Sequence, residues 1–335
     1  MAKDRIQLWL GLAAIVIFSP VRADDAIVID PVEQWSSVFA DSETRWTYRF
    51  SSEQPLNGPA AWRLTINHRL AANGEFDLID DAKKVIDRKV ALRWPKINAG
   101  QIQAAQLVVS IGTSRHERTV WLFPRDPFTD RRDWLKGLKL KVFDPNGETI
   151  ARFTAADIPY ESLRTTDAFD EVTEGIVIIS EGCSLRKQDE VIDSVRQLAA
   201  RGISVLCLAS VDGQFVFPGE KPQPISVQLR RFDVICELDK RLDAAWWPKG
   251  SSQLSGLRFG AESDEVMAEV SDNAKAWPWC EWRYESDSDK QAHFIWCGFG
   301  LIRSWDDSPT PRYLLAAILE RLSHTTKNLE PGHSK

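Results

Sequence analysis

The sequence is poor in what ordinary catalysis draws on. Its five cysteines, Cys183, Cys207, Cys236, Cys280 and Cys297, form no C-x-x-C pair and show no metal-ligand spacing. An odd, scattered set excludes a disulfide scaffold and leaves room for two bridges at most, Cys236–Cys280 being one possible pairing. There is no G-x-S-x-G elbow, no H-E-x-x-H, no P-loop and no G-x-G-x-x-G. No cofactor and no metal are therefore expected. Positive charge is short as well: 42 basic residues stand against 48 acidic ones, a net charge of −6. That balance leaves no electrostatic footprint for nucleic acid or anionic lipid.

Long apolar runs are also missing. The one candidate, Ile6 to Phe18, follows Lys3 and Arg5 and is broken by Ser19-Pro20. It falls short of the roughly 17 to 25 residues that span a bilayer. With Val21-Arg22-Ala23 after it, the segment reads as a secretory signal peptide cleaved after Ala23. The expected destination is the periplasm or the outside of the cell, with no membrane span in the mature chain. Without residues 1–23, which carry Lys3, Arg5, Arg22 and Asp4, the net charge becomes −8.

What is present divides into two grammars. From about 27 to 123 the apolar pattern has period two. "WRLTINHRL" sets Trp62, Leu64, Ile66, His68 and Leu70 on one face, with His68 expected as a core histidine. Asn73-Gly74 is the expected hairpin turn. "VIDRKVALRWP", "AQLVVSIGT" and "RTVWLFP" continue the series, which predicts an antiparallel β-sandwich over 24–123. The charged, proline-bearing stretch "PRDPFTDRRDW" opens a linker, 124–137.

Beyond it, "GIVIIS" and "ISVLCLAS" are continuous apolar strands. They flank a helix whose stripe is Val191, Ile192, Val195, Leu198 and Ala199, closed at Gly202. Such a strand–helix–strand unit makes the two strands parallel. "AHFIWCG" is a further buried strand, able to pair antiparallel with "PWCEWRYES". A final helix is expected with Thr310 as N-cap, Pro311 first, and a stripe of Leu314, Leu315, Ile318, Leu319 and Leu322. The fold class is thus a two-domain chain: the sandwich, then an open, mostly parallel α/β sheet over 138–325 with an irregular insertion at 213–275. A disordered tail is expected over 326–335.

"EGIVIISEGCSL…VIDSVRQLAARGISVLCLA" and "FIWCGFGLIRSW" resemble the class I glutamine amidotransferase-like (flavodoxin-like) fold. The resemblance is nearest to the non-catalytic versions that accompany sandwich domains in secreted bacterial proteins related to glycoside hydrolases. It implies that Glu181-Gly182-Cys183 occupies the turn that helps form an oxyanion pocket in active relatives. It also puts Ala209 where their nucleophile stands, with Cys207 two residues too early. The family's His–Glu pair has no counterpart in "GFGLIRSW".

An activated thiol needs a base within hydrogen-bond reach. None of His68, His116, His293, His324 and His333 is placed to serve Cys183, so no catalytic residue is assigned and Cys183 reads as a small residue at a tight turn. Ligands of open α/β sheets bind at the carboxyl ends of the strands. The candidate crest there is Asp144, Glu181, Gly182, Cys183, Ser210, Asp212, Gly298 and Gly300, residues that could equally be ordinary loops. Fourteen tryptophans are many, and Trp247, Trp277, Trp279 and Trp282 form a candidate sugar platform. The competing reading packs those rings inside the sheet or the seam between domains. The leading expectation is a secreted, non-catalytic binding or assembly module linked to polysaccharide handling. A glycoside or ester hydrolase using crest carboxylates and a protein–protein interaction module are the alternatives.

Overall fold

A computed structural model describes residues 27–79, 84–217, 224–262, 265–285 and 291–327. The expected signal peptide and the last eight residues of the expected tail lie outside them. Residues 27–123 build eight strands: β1 (Val28–Pro31), β2 (Ser37–Phe39), β3 (Ser42–Ser51), β4 (Asn57–Ile66), β5 (Arg69–Ile79), β6 (Val85–Trp94), β7 (Gln103–Ile111) and β8 (Ser114–Phe123). They form a three-stranded sheet, β1-β3-β6, and a five-stranded sheet, β2-β8-β7-β4-β5. Every pairing is antiparallel except β2 with β8. Alternation sends Trp46, Tyr48, Phe50, Val90 and Leu92 of the first sheet against Trp62, Leu64, Leu107, Val109 and Leu122 of the second. One shared apolar core results.

The first hairpin corrects the expected register. β4 stops at Ile66, and Asn67 and His68 take φ of 49° and 63°, so these two residues are the turn. Two consecutive left-handed residues match the twist of the flanking strands, and Asn and His tolerate that conformation better than most. His68 and Leu70 are exposed rather than in the core. Asn73 and Gly74 lie inside β5, where Gly74 faces Trp62. A Cβ on Gly74 would sit 2.5 Å from the indole nitrogen, so this glycine makes room for a ring and does not turn the chain.

The rest of the chain supplies α1 (Arg132–Gly137), β9 (Leu140–Phe143), α2 (Glu148–Ala155), β10 (Glu161–Leu163), β11 (Ile176–Ile179), α3 (Glu190–Ala200), β12 (Ser204–Leu208), β13 (Gln214–Phe217), β14 (Ser226–Arg230), α4 (Asp233–Leu238), β15 (Trp246–Trp247), β16 (Gly250–Ser251), β17 (Gly256–Glu262), β18 (Glu265–Ser271), β19 (Trp279–Glu285), β20 (Gln291–Cys297) and α5 (Pro309–Lys327). A seven-stranded sheet runs β10-β9-β11-β12-β20-β19-β14. Its first five strands are parallel, β19 is antiparallel to β20, and β14 is antiparallel to β19.

The sheet is buried on both faces, which is why its strands read as unbroken apolar runs. One face, with Ile176, Ile178, Leu206, Leu208 and Ile295, packs on Leu314, Leu315, Ile318, Leu319 and Leu322 of α5. The other, with Val177, Ile179, Val205, Phe294 and Trp296, packs on α3 and on a small antiparallel sheet, β13-β18-β17. The stretch expected as an irregular insertion therefore holds ordered strands, including the sheet's edge strand β14.

Gly202 closes α3 at φ 80°, as expected for a left-handed cap. Helix α5 begins at Pro309, two residues before the expected Pro311, and includes Thr326 and Lys327 of the expected tail. The stretch expected as a linker is packed: Phe128 and Leu135 are buried against α5, and Arg131 pairs with Glu320 at 2.8 Å.

Candidate functional site

The crest at the carboxyl ends of the parallel strands is closed by its own hydrogen bonds. Beyond β11 and β12 the backbone stays paired: Gly182 N–H donates to the Ala209 carbonyl (2.8 Å), Val211 to Cys183 (3.1 Å) and Leu185 to Asp212 (3.2 Å). Gly182 makes the bend at φ 79°, which a glycine adopts without strain. The Asp144 carboxylate accepts from the backbone of Gly147 (3.0 Å) and Ile150 (2.9 Å), capping the start of α2. Asp212 accepts from the Ser184 hydroxyl at 2.6 Å, which holds its carboxyl below the usual carboxylate range.

Glu181 is the buried carboxylate of the crest. Its oxygens accept the N–H groups of Ile302 (2.8 Å) and Arg303 (2.9 Å), in the turn after β20. Burial pushes its pKa up, and those two donors work in the opposite sense. Gly298 and Gly300 serve close packing. A Cβ on Gly298 would fall 2.1 Å from the Ser255 carbonyl, and one on Gly300 would fall 3.0 Å from Leu254. Leu254 and Ser255 donate to the Gly298 carbonyl, so residues 252–255 lie across the end of β20.

The thiols and hydroxyl of the crest are equally enclosed. Cys183 has no exposed surface, and burial pushes its thiol up to about 12. Cys207, within β12, is also buried with a raised pKa. The Ser210 hydroxyl donates to the Leu208 carbonyl (3.4 Å) and lies 3.5 Å from the Cys207 sulfur. Among the described histidines none reaches this end of the sheet. His68 is in a sandwich turn, His116 packs beside Tyr48, and His324 is exposed near Glu320. His293 lies in the first half of β20 and is 3.6 Å from buried Glu281, which Arg321 holds at 2.9 Å. No Cys236–Cys280 bridge exists, since all five cysteines are free.

The tryptophan platform is corrected. Trp247, Trp279 and Trp282 are fully buried, and Trp277 is partly buried with the Arg231 guanidinium 4.2 Å above its ring. The alternation of β19 turns Trp282 toward Phe215 and Phe294, and Trp279 toward the opposite face. Trp246, part of the same sequence cluster but not of the expected platform, is 56% exposed and is the only exposed tryptophan among the described residues. It sits on the two-residue strand β15, where its neighbour Trp247 points inward and donates from its indole to the Asp243 carbonyl at 2.9 Å. The "WW" doublet on a short hairpin was the available signal, because adjacent strand residues face opposite ways.

A cleft that the sequence did not reveal lies where the sandwich, the connector and the α/β part meet. It measures about 840 Å³ and is bounded by residues 100–102, 126–131, 236–241 and 313–320. No crest residue lines it. Arg131 with Glu320 and Arg241 with Asp239 form ion pairs on its walls, at 2.8 and 2.7 Å. Among the described residues no group of histidine, cysteine and acidic side chains could hold a metal ion, and no helix is long and apolar enough to cross a membrane.

No protein-family model matches the sequence, and no curated protein does. Solved structures resemble it faintly. The CARDB domain of a Pyrococcus furiosus protein in complex with di-metal ions aligns at 11% identity over 30% of this chain and 88% of its own, with a TM-score of 0.20. A Paenibacillus cycloisomaltooligosaccharide glucanotransferase aligns at 9% identity over 70% of this chain, with a TM-score of 0.26. A Bifidobacterium dentium β-glucuronidase aligns at 10% identity over 55%, with a TM-score of 0.19. The chain spans 33% of the glucanotransferase and 43% of the glucuronidase. Superpositions this loose carry no argument about activity. What stands is a mostly β chain with antiparallel sheets and one mixed, largely parallel sheet of seven strands.

Proposed function

We propose that this chain is an exported, non-catalytic binding or assembly module for polysaccharide, with an α/β part of the degenerate amidotransferase-like kind. The observation that carries the non-catalytic reading is the closed crest. Cys183 and Ser210 are buried, the thiol is held protonated far above neutral pH, and no described imidazole approaches either. A nucleophile without a base or a substrate-sized opening has nothing to attack.

The crest carboxylates support the same reading. Asp144, Glu181 and Asp212 already accept backbone or hydroxyl hydrogens, and a glycosidase needs two carboxyl groups facing one sugar. The polysaccharide part rests on the family resemblance. An interaction with another protein is the second reading, favoured by edge strand β14, where Val227 and the preceding Ile225 are exposed.

The test is paired. The mature chain, offered ester, amide and glycoside substrates, is expected to show no turnover above a blank. Immobilised polysaccharides are expected to retain it. Turnover that vanishes in Cys183→Ala overturns the non-catalytic reading, and a lack of retention on every polysaccharide overturns the other half.

A further inference from the structure

The cleft at the junction has the build of a ligand seat. Its volume of about 840 Å³ lies in the range of small-ligand sites, roughly 300 to 1,000 Å³, which favour places where packed units meet. Three separate parts of the chain wall it, so its shape exists only in the assembled molecule.

We propose that this cleft seats a segment of a neutral, hydroxyl-rich oligosaccharide; the inference rests on the binding-module reading above. The first argument is charge. The walls carry both signs, and four of the charged side chains are paired with one another: Arg131 with Glu320, and Arg241 with Asp239 through two contacts, Nε to Oδ1 at 2.8 Å and Nη2 to Oδ2 at 2.7 Å. Asp126 and Glu237 pair with Arg132 and Arg230 outside the lining, and Asp130 and Lys240 complete it. A ligand charge set against these two pairs would have to break one of them. A hydroxyl need not, since it donates to a spare carboxylate lone pair while accepting from a spare guanidinium N–H. Side-chain exposures of 36% for Arg131 and 47% for Glu320 leave those edges reachable.

The second argument is the apolar part of the wall. Ile102, Ala317 and the Tyr313 ring line the cleft between the charged groups. The ring is held still: it meets Phe123 edge-on at 4.7 Å, and its hydroxyl donates to the Pro124 carbonyl at 3.1 Å. A fixed aromatic beside paired charges matches a pyranose, whose C–H face is apolar and whose rim is hydroxyl. The third argument is what the walls lack. They are helices α4 and α5, the connector and a loop. A peptide would find no strand edge to extend and no continuous apolar groove for a helix.

Cys236 lines the cleft and is the exposed cysteine, the other four being buried, so its alkylation reports on occupancy. The full mature chain is mixed with short neutral gluco-, xylo- and manno-oligosaccharides, with an acidic oligogalacturonate, and with a mixed peptide pool. Affinity and the rate of Cys236 alkylation are both read. A neutral oligosaccharide is expected to bind and to slow alkylation by about fivefold or more, as saturation of the native state implies. Ala317→Trp, which fills the cleft without changing its charge, is expected to weaken that binding by about tenfold or more. Glu320→Gln, which keeps the side chain's shape, is expected to weaken it while leaving the melting temperature close to that of the parent.

Binding with unchanged alkylation and an unchanged affinity in both variants overturns the cleft as the seat and leaves the module reading intact. Protection by the peptides or the galacturonate alone overturns the ligand class. Binding of no oligosaccharide at all overturns both readings.

Discussion

Four thiols lie in the interior and one, Cys236, reaches the surface. Cys183 and Cys297 are pushed up to about 12 by burial, which suppresses the reactive thiolate. A thiol-reactive dye should therefore titrate one group in the native chain and five after unfolding; two or more fast native thiols would contradict this packing. A second residue-scale expectation concerns His293. Burial lowers its pKa below the ordinary 6.5, Glu281 opposes this, and Arg283 and Arg321 add to it. The folded state then binds fewer protons than the unfolded state, so stability is fully present above about pH 6.5 and falls as pH drops through the folded value. Urea midpoints should decline on acidification below about pH 6.5, and His293→Gln should flatten the decline. His116, lowered mainly by burial, acts in the same direction and adds to the slope. Neither the lone surface thiol nor the buried histidine could be told apart by sequence, since exposure depends on chain that packs from far away.

At the scale of elements, close approach governs the end of β20. The Ser255 carbonyl occupies the space where a side chain on Gly298 would begin. Gly298→Ala should therefore cost about 1–3 kcal/mol in chemical denaturation, the usual range for overpacking. A midpoint equal to the parent's would mean that residues 252–255 do not lie across this strand. The parallel strands β11 and β12, the helix between them and the α5 stripe were legible because their periodicity is set by one buried face. The first hairpin turns at Asn67-His68 although Asn73-Gly74 has the stronger turn chemistry, because Trp62 takes the space across the ladder at Gly74. The strands within 213–275 carry a faint alternation of their own. Leu257 and Phe259 alternate with Arg258 and Gly260, and Ala268 and Val270 sit two apart. Turn residues between short strands obscured it.

For the whole molecule, one carboxylate ties the sandwich to the α/β part. Asp243 accepts from the Ser36 N–H (2.7 Å), the Ser36 hydroxyl (3.1 Å) and the Ser37 N–H (2.9 Å) at the start of β2. Bonds to a charged group contribute about 1.5–3 kcal/mol each when the partners are otherwise unsatisfied, and here they share one acceptor. Asp243→Ala should lower stability by about 2–4 kcal/mol. It should also separate the single calorimetric transition expected of the parent into two. One unshifted transition in the variant would show that the contacts of Phe39 with Arg312 and of Phe123 with Tyr313 hold the halves together without it.

The strand–helix–strand unit of β11, α3 and β12, the final helix, the alternation through most of the sandwich and the covered faces of the parallel sheet were determined by sequence alone, because each follows from repeats of two or about 3.6 residues along a short stretch of chain. Tertiary structure alone decided that the strand crest is shut, that the clustered tryptophans face inward apart from Trp246, and that a charged cleft opens at the junction. Those features arise where residues distant in sequence meet, as Glu181 meets Ile302 and Arg131 meets Glu320. No local pattern encodes which of two such groups will find the other, because that is set by the packing of the elements between them.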